Sequence, residues 1–452
     1  MLHEPPDAGT NRRGPIMETN MLRTSTLLVS TMLTASLLAA PVLAQDQMNE
    51  TTPAQEVEGV PPAEGGEAAG GAPVETNPPN APEQEPAFEE QTRAPQPADM
   101  PETATEVFAE GLPHAWAMEF LPDGRVLVNA KAGVMHVVDT EGNVGPEITG
   151  LPDVHAQGQG GLLDLALAPD FESSNRIFFS FAEPREDGNG TSVGRATLVL
   201  DEDGGGTLED VEVIFRQTPS YDGNLHFGSR LVFNDEGELF VTVGERSDPE
   251  PRVQAQELES GLGKVFRIDE TGAAISDNPF VEVEGALPEI WSLGHRNVQA
   301  ATLDGENRLW IVEHGPRGGD ELNQPQPGIN YGWPEVTYGI EYSGDPVGEG
   351  ITRSAETEQP VYYWDPVIAP SGMAYYEGDE FPEWEGAFLV GGLVSTGIVV
   401  IHVEDDRVVS EERVPLEARV RDVRVGPDGA VYALTENPNE GSSTIVRVSR
   451  AQ

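Results

Sequence analysis

Leu121-Pro122-Asp123-Gly124, followed by Val126-Leu127-Val128, decides how this chain is read, because the same short unit returns along the sequence. Asn234-Asp235-Glu236-Gly237 precedes Leu239-Phe240-Val241, Asp304-Gly305-Glu306-Asn307 precedes Leu309-Trp310-Ile311-Val312, and Gly426-Pro427-Asp428-Gly429 precedes Val431-Tyr432-Ala433-Leu434. Each turn carries Asp or Asn with Gly, which suits a hairpin connection. Each following run has the β-branched and aromatic content of a strand. A further strand follows in Val134-Met135-His136-Val137-Val138 and in Lys264-Val265-Phe266-Arg267-Ile268. Irregular spacing of the copies excludes a strict solenoid. Repeated meanders separated by long polar loops, without amphipathic helices, predict an all-β, six-bladed β-propeller rather than a pair of sandwiches, at roughly 50 to 60 residues per blade.

Composition agrees with a turn-rich domain: 452 residues include 50 Gly and 38 Pro. Acidic residues number 78 against 26 basic ones, a formal charge of −52. Nothing here could neutralise a row of phosphates, so nucleic acid is excluded as a partner. Lys131 and Lys264 are the only lysines. A surface so loaded with carboxylates suits high salt, where screening relieves self-repulsion. The absence of cysteine removes disulfides, thiolate metal sites and thiol catalysis.

The N-terminal region predicts export. Arg23, an apolar run over 27–38, and Ala40-Pro41-Val42-Leu43-Ala44 before Gln45 read as the three parts of a signal peptide, and residues before Met21 read as upstream of the true start. Residues 1–44 are therefore expected to be extension and signal peptide, leaving a periplasmic or secreted protein with no transmembrane segment when mature. Residues 45–103 are rich in Pro, Glu, Ala and Gly with hardly an aromatic, and are expected to form a disordered acidic tether. Residues 104–452 are expected to form the folded domain.

Several segments stand out from the strand background. Gly315-Pro316-Arg317-Gly318-Gly319-Asp320-Glu321-Leu322-Asn323, followed by Asn330-Tyr331-Gly332-Trp333-Pro334, concentrates turn residues and carboxylates. Such a loop can turn its carbonyl oxygens toward a hard cation such as calcium, or can be an acidic surface turn. In Leu225-His226-Phe227-Gly228-Ser229-Arg230, His226 is either a packed polar residue or a general base, with Glu245 available one strand later to orient it. Arg296, Arg419 and Arg421 are unusual in a chain this poor in basic residues. Their planar guanidinium groups suit a bound anion with carboxylates. Gly158-Gln159-Gly160-Gly161 completes the set.

Taken in order, these segments resemble the soluble quinoprotein glucose dehydrogenases and aldose sugar dehydrogenases, the glucose/sorbosone dehydrogenase family, from about Leu112 to Ser449. The resemblance implies a six-bladed propeller that uses pyrroloquinoline quinone (PQQ) and calcium to oxidise the C1 hydroxyl of aldoses to lactones, passing electrons to a quinone or other acceptor. It implies that His226 is the base taking the proton of the anomeric hydroxyl while a hydride passes to the quinone. Arg296 and Asn297 correspond to the pair beside the reacting carbon, and Gln159 to a glutamine of the same pocket. The main-chain oxygens of Gly315 and Pro316 would hold the cofactor's calcium, and those of Glu321 and Tyr331 a separate structural calcium. Arg419 and Arg421 would grip the cofactor carboxylates. Two positions depart from the family pattern: Leu225 stands where the glucose enzymes have an acidic residue, and 391–397 lacks the family's lysine, which predicts weaker cofactor binding. The rival expectations are a non-catalytic propeller that keeps the calcium and binds sugar or another partner, and a calcium-dependent lactonase.

Overall fold

The computed structural model describes residues 71–202 and 204–451. The signal-like run and residues 45–70 of the expected tether lie outside them. Within the described part the architecture begins with the turns. At each of the quoted turns the first residue's carbonyl accepts the fourth residue's N–H at 2.9–3.0 Å, and its N–H returns to the fifth residue's carbonyl at 2.8–3.0 Å. The fourth residue must then adopt positive φ: Gly124 +87°, Gly237 +78°, Asn307 +62° and Gly429 +76°. Gly and Asn tolerate that region best, which is why the turn residues recur.

These turns join first and second strands of antiparallel meanders. The chain runs β1 (Thr103–Pro113), β2 (Ala115–Phe120), β3 (Val126–Ala130), β4 (Val134–Val138), β5 (Val144–Thr149), β6 (Leu162–Leu167), β7 (Arg176–Arg185), β8 (Gly188–Leu200) and β9 (Gly206–Arg216). It continues with β10 (Leu231–Phe233), β11 (Leu239–Val243), β12 (Lys264–Ile268), β13 (Ile290–Leu293), β14 (Val298–Leu303), β15 (Leu309–Glu313), β16 (Asp320–Asn323) and β17 (Tyr362–Trp364). The last strands are β18 (Pro370–Tyr375), β19 (Phe388–Gly392), β20 (Gly397–Glu404), β21 (Arg407–Pro415), β22 (Arg419–Val425), β23 (Val431–Asn437) and β24 (Ser442–Arg450). Four-stranded sheets hold β10–β13, β14–β17 and β18–β21 in sequence order. The meanders β2–β5 and β6–β9 merge into one eight-stranded sheet through a short parallel pairing of Ile148 with Gly206 and Thr149 with Thr207.

First strands pack beside first strands: β2 against β6 and β22, β10 against β6 and β14, and β18 against β14 and β22. These contacts close a ring. The closure is sealed by β1, which pairs with β24 from Thr103↔Arg450 to Pro113↔Ser442 and completes the sheet β1-β24-β23-β22. The core lies between neighbouring sheets; one cluster joins Ala166, Phe178 and Val193 to Leu231, Val241 and Phe266. Strands β3, β11, β12, β15 and β19 are consequently buried along their whole length, without the alternation of a half-exposed strand.

The expected tether is ordered from residue 71 onward. Gln91 and Ala81 are buried, Asn80 and Ala81 donate their N–H groups to the Asp365 carboxylate at 2.6 and 2.9 Å, and Arg93 reaches the Asp365 carbonyl at 2.8 Å. The segment has too few apolar residues for a core of its own. Its polar groups are instead satisfied by the propeller, a non-local arrangement that composition does not register.

Candidate active site

In an antiparallel meander the start of the first strand and the end of the second lie at the same edge. The loops entering β6, β10 and β14, and those leaving β11 and β15, therefore gather at one end of the ring. They carry Gln159, His226, Arg296 with Asn297, Glu245 and Gly315 respectively.

His226 is built into a strained position, with φ +49°, a region that costs a non-glycine residue of the order of 1 kcal/mol. Its surroundings hold it there. The Gln159 Oε1 accepts the His226 N–H at 2.8 Å. Arg246, itself buried, donates to the Leu225 carbonyl at 3.0 Å and the Gly223 carbonyl at 2.6 Å, gripping the same loop. Gly244 must be glycine, since an added Cβ would stand 2.3 Å from the His226 carbonyl oxygen.

The His226 Nδ1 lies 2.9 Å from Glu245 Oε2, with both side chains almost fully buried. The remaining carboxylate oxygen accepts the Trp333 indole N–H at 3.1 Å, and the Ser247 N–H also donates to Glu245. Burial pushes the His226 imidazole below its ordinary range; Glu245 opposes this and the Arg296 charge adds to it. Burial alone would raise Glu245, but the interaction with His226 and the Arg296 charge outweigh it and hold the carboxyl below its usual range. The pair is thus a neutral imidazole on an ionised carboxylate. Nδ1–H is committed to Glu245, so Nε2 is the nitrogen that takes a proton.

Arg296 stands beside this pair. Its N–H donates to Glu313 at 2.6 Å, and its guanidinium donates to the carbonyls of His314 at 3.0 Å and Gly315 at 2.7 Å and lies 5.2 Å from the Trp333 ring. Asn297 Oδ1 accepts the Gly228 N–H at 3.1 Å and so ties Arg296 to the His226 loop. Gly294, Arg296, His314, Gly315, Glu321 and Trp333 line a small recess that opens to solvent. Two buried nitrogens there, Arg296 Nε and His314 Nε2, have no hydrogen-bond partner. Burial and the nearby charges of Arg296 and Arg421 push His314 well below its ordinary range.

Arg419 and Arg421 open β22 and are held by one carboxylate. Glu436, opposite them on β23, accepts Arg419 Nε and Arg421 Nε at 2.9 Å each, and His114 Nε2 lies 3.1 Å from it. Arg421 also reaches the Gln299 side chain on β14 at 3.0 Å, across the centre of the ring. Guanidinium groups and two unpartnered buried nitrogens, with the Trp333 indole beside Arg296, make a set that fits a flat, polycarboxylated group such as PQQ.

The expected metal-holding residues fall into two places. Gly315 lines the recess, with Pro316 next in the chain, and the Gly315 carbonyl already accepts Arg296 and keeps a second lone pair. Glu321 sits in β16, paired with Glu313 and Tyr363, with its side chain toward the recess. Tyr331 lies elsewhere in the loop that follows, its ring stacked on His295 at 4.9 Å and its hydroxyl donating to Gln324 O at 2.7 Å. Among the described residues no group of three or more His, Asp or Glu side chains could hold a metal ion, so a cation here would rest chiefly on main-chain oxygens.

Sequence reasoning assigned no role to Trp333, His314, Gln299 or Glu436. Trp333 lies inside a segment that stands out in the sequence, His314 directly precedes one, and Gln299 follows the Arg296-Asn297 pair by two residues. Glu436 had no local signal. No lysine approaches from 391–397, but Lys131 Nζ donates to Gly158 O at 2.7 Å, one residue from Gln159.

Residues 112–447 match the model of the Glucose / Sorbosone dehydrogenase family. The chain is 43% identical over 350 residues to aldose sugar dehydrogenase YliI of Escherichia coli (strain K12), covering 76% of this chain and 92% of that protein. A crystal structure of glucose dehydrogenase superposes with a TM-score of 0.73 at 42% identity, covering 77% of this chain and 100% of that one. The PQQ-bound aldose sugar dehydrogenase of Streptomyces coelicolor superposes with a TM-score of 0.64 at 28% identity, over 78% and 99% of the two chains. The β-propeller described here therefore belongs to the glucose/sorbosone dehydrogenase family, whose members include sugar oxidoreductases.

Proposed function

We propose that this protein is a PQQ-dependent aldose dehydrogenase that oxidises the C1 hydroxyl of an aldose to the lactone, on a propeller of six blades, with electrons passing afterwards to a quinone or other acceptor. The observation that carries it is the buried His226–Glu245 pair, 2.9 Å apart, beside Arg296 and facing a donor set suited to a polycarboxylated ring. The PQQ-bound relative supports the cofactor.

When bound, PQQ supplies the two-electron acceptor, with a calcium ion on the Gly315 and Pro316 oxygens as its Lewis acid. The chain's own residues do the rest. His226 Nε2 takes the hydroxyl proton, and Glu245 stabilises the resulting imidazolium and fixes the tautomer. Trp333 and Ser247 hold Glu245 in place. Arg296 and Asn297 present positive charge and an amide where negative charge develops. Arg419 and Arg421 orient the cofactor through its carboxylates, while Glu321 and Tyr331 carry a structural calcium through their main-chain oxygens. The signal-like N-terminus supports a periplasmic or secreted location.

The missing lysine at 391–397 favours the second reading, a calcium-stabilised propeller that binds sugar without turnover. Purified protein is supplied with calcium and PQQ, and dye reduction is followed with glucose, arabinose and other aldoses. Turnover that requires PQQ is expected; its absence with every aldose overturns the enzyme reading.

A further inference from the structure

Residues 71–96 precede the stretch matched by the family model, yet they are bonded to Asp365 and Tyr338, which pack against the loop proposed to hold the cofactor's calcium. Arg93 ties this segment together. Its guanidinium donates to Glu75 O at 3.0 Å, Asn77 O at 2.7 Å and Asp365 O at 2.8 Å. The Asp365 carboxylate, taking the Asn80 and Ala81 N–H groups, is packed so tightly on Gly318 that a Cβ there would be 2.9 Å from Oδ1. Next to Asp365, the Trp364 carbonyl accepts the Gly319 N–H at 2.9 Å.

A second attachment reaches the other side of the same turn. Gln91, fully buried, donates to Pro360 O at 2.9 Å and accepts the Tyr338 hydroxyl at 2.9 Å. Tyr338 stacks on Tyr363 with ring centroids 4.0 Å apart, and its Cβ would lie 3.1 Å from a Cβ added at Gly319. Gly318 and Gly319 have φ of +86° and +71°, so this turn has two residues of wide backbone freedom and depends on its neighbours for a single conformation. Asp365 and Tyr338 are those neighbours, and both are bonded to the N-terminal segment.

We propose that residues 71–96 form a clamp, with Arg93 and Gln91 as positioning residues, that fixes the Gly315–Gly319 turn and thereby sets the affinity of the recess for its calcium and PQQ. The consequence for affinity rests on the cofactor reading; the clamping of the turn does not. A strap that merely covered the sheet edge would act where Pro95 O accepts the Glu411 N–H at 3.0 Å, on β21, and would leave the turn untouched.

The test compares full-length Arg93→Ala and Gln91→Ala with the parent protein. Hydrogen exchange of peptides covering 315–320 is measured without cofactor, PQQ affinity is measured by quenching of tryptophan fluorescence at fixed calcium, and kcat is measured at saturating PQQ. The expected result is exchange about tenfold faster in 315–320, PQQ binding about tenfold weaker and kcat unchanged, because loosening a turn raises its opening population without touching the base. Gln91→Ala is the milder variant, since Tyr338 keeps Gln359 at 2.6 Å, and it decides the matter if Arg93→Ala does not fold. Exchange that changes only in β21, or PQQ affinity equal to the parent's despite faster exchange in 315–320, overturns the proposal. A parent protein that binds no PQQ overturns the cofactor reading and the affinity half of the inference, while exchange of 315–320 still decides the clamp.

Discussion

His226 is held at a backbone angle that few side chains adopt, and burial with Glu245 and Arg296 beside it sets its chemistry. Its lowered proton affinity keeps the imidazole neutral to a more acidic pH than an ordinary histidine, so the acid limb of kcat/KM should lie below the usual histidine range. In Glu245→Gln the attraction that stabilises the imidazolium is gone. The limb should then move further toward acid while kcat falls, because the amide no longer favours the Nδ1–H tautomer; a limb that moves toward alkali would show that another group titrates. His226→Ala should reduce turnover by about 10²- to 10⁴-fold with PQQ affinity retained, since it removes the base and no proposed cofactor contact. Equal loss of affinity would place His226 among the cofactor-holding residues instead. The potential of this residue was legible, for a histidine ahead of Gly228-Ser229 with a carboxylate one strand later is a local pattern. The grip of Arg246 on its loop was not, because the carbonyls it bonds carry no sequence signature.

At the level of elements, the hairpin β22–β23 shows how a pair of arginines is kept ready for an anion. Glu436, with a side chain 1% exposed, neutralises Arg419 and Arg421 together, and these contacts win over burial to hold its carboxyl well below the usual range. A depressed carboxyl stabilises the fold above its unfolded pKa and loses that contribution as pH falls through the folded value. Glu436→Gln should therefore cost about 3–5 kcal/mol at neutral pH, as for other broken buried pairs, and should flatten the acid side of the stability profile. Urea unfolding at several pH values measures both effects, and an unchanged slope on the acid side would assign the acid sensitivity elsewhere. Arg419→Ala should raise the PQQ concentration for half-maximal activity without lowering kcat at saturation. If that concentration stays put, the cofactor carboxylates are held elsewhere. The strands themselves were readable where a turn and a run of β-branched residues adjoin, as at Asp123-Gly124 and Asp428-Gly429. Burial along all of β3 or β15 was not readable, because it depends on neighbouring sheets far away in sequence.

Over the whole molecule, closure and charge act together. The ring is sealed by β1 and β24, strands separated by nearly the entire folded chain, and no local pattern announces that pairing. Composition likewise misread residues 71–102, whose order comes from Asp365, Tyr338 and Tyr362 rather than from a core of their own. The charge imbalance is more consequential than its size suggests. Of the scarce basic residues, Arg230, Arg246, Arg421 and Arg424 are occupied inside the ring, Arg230 and Arg424 meeting Asp164, Asp422 and Glu119 in one ionic cluster at 2.7–3.1 Å. Lys264 is fully buried on three carbonyl oxygens at 2.7–2.9 Å, and burial lowers its pKa to about 7. Few cations are left to offset the carboxylates outside, so self-repulsion opposes the compact state. Raising sodium chloride from about 0.1 M to about 1 M shortens the screening length from about 10 Å to about 3 Å, which should weaken that repulsion while leaving the buried ionic cluster largely unscreened. The melting temperature should accordingly rise with salt, most steeply at the low end, and by the same amount in potassium chloride, because screening depends on ionic strength and not on the cation. A melting temperature that is flat or falls over this range would mean that the exposed carboxylates lie too far apart, or are too well hydrated, for their repulsion to be felt in the folded protein.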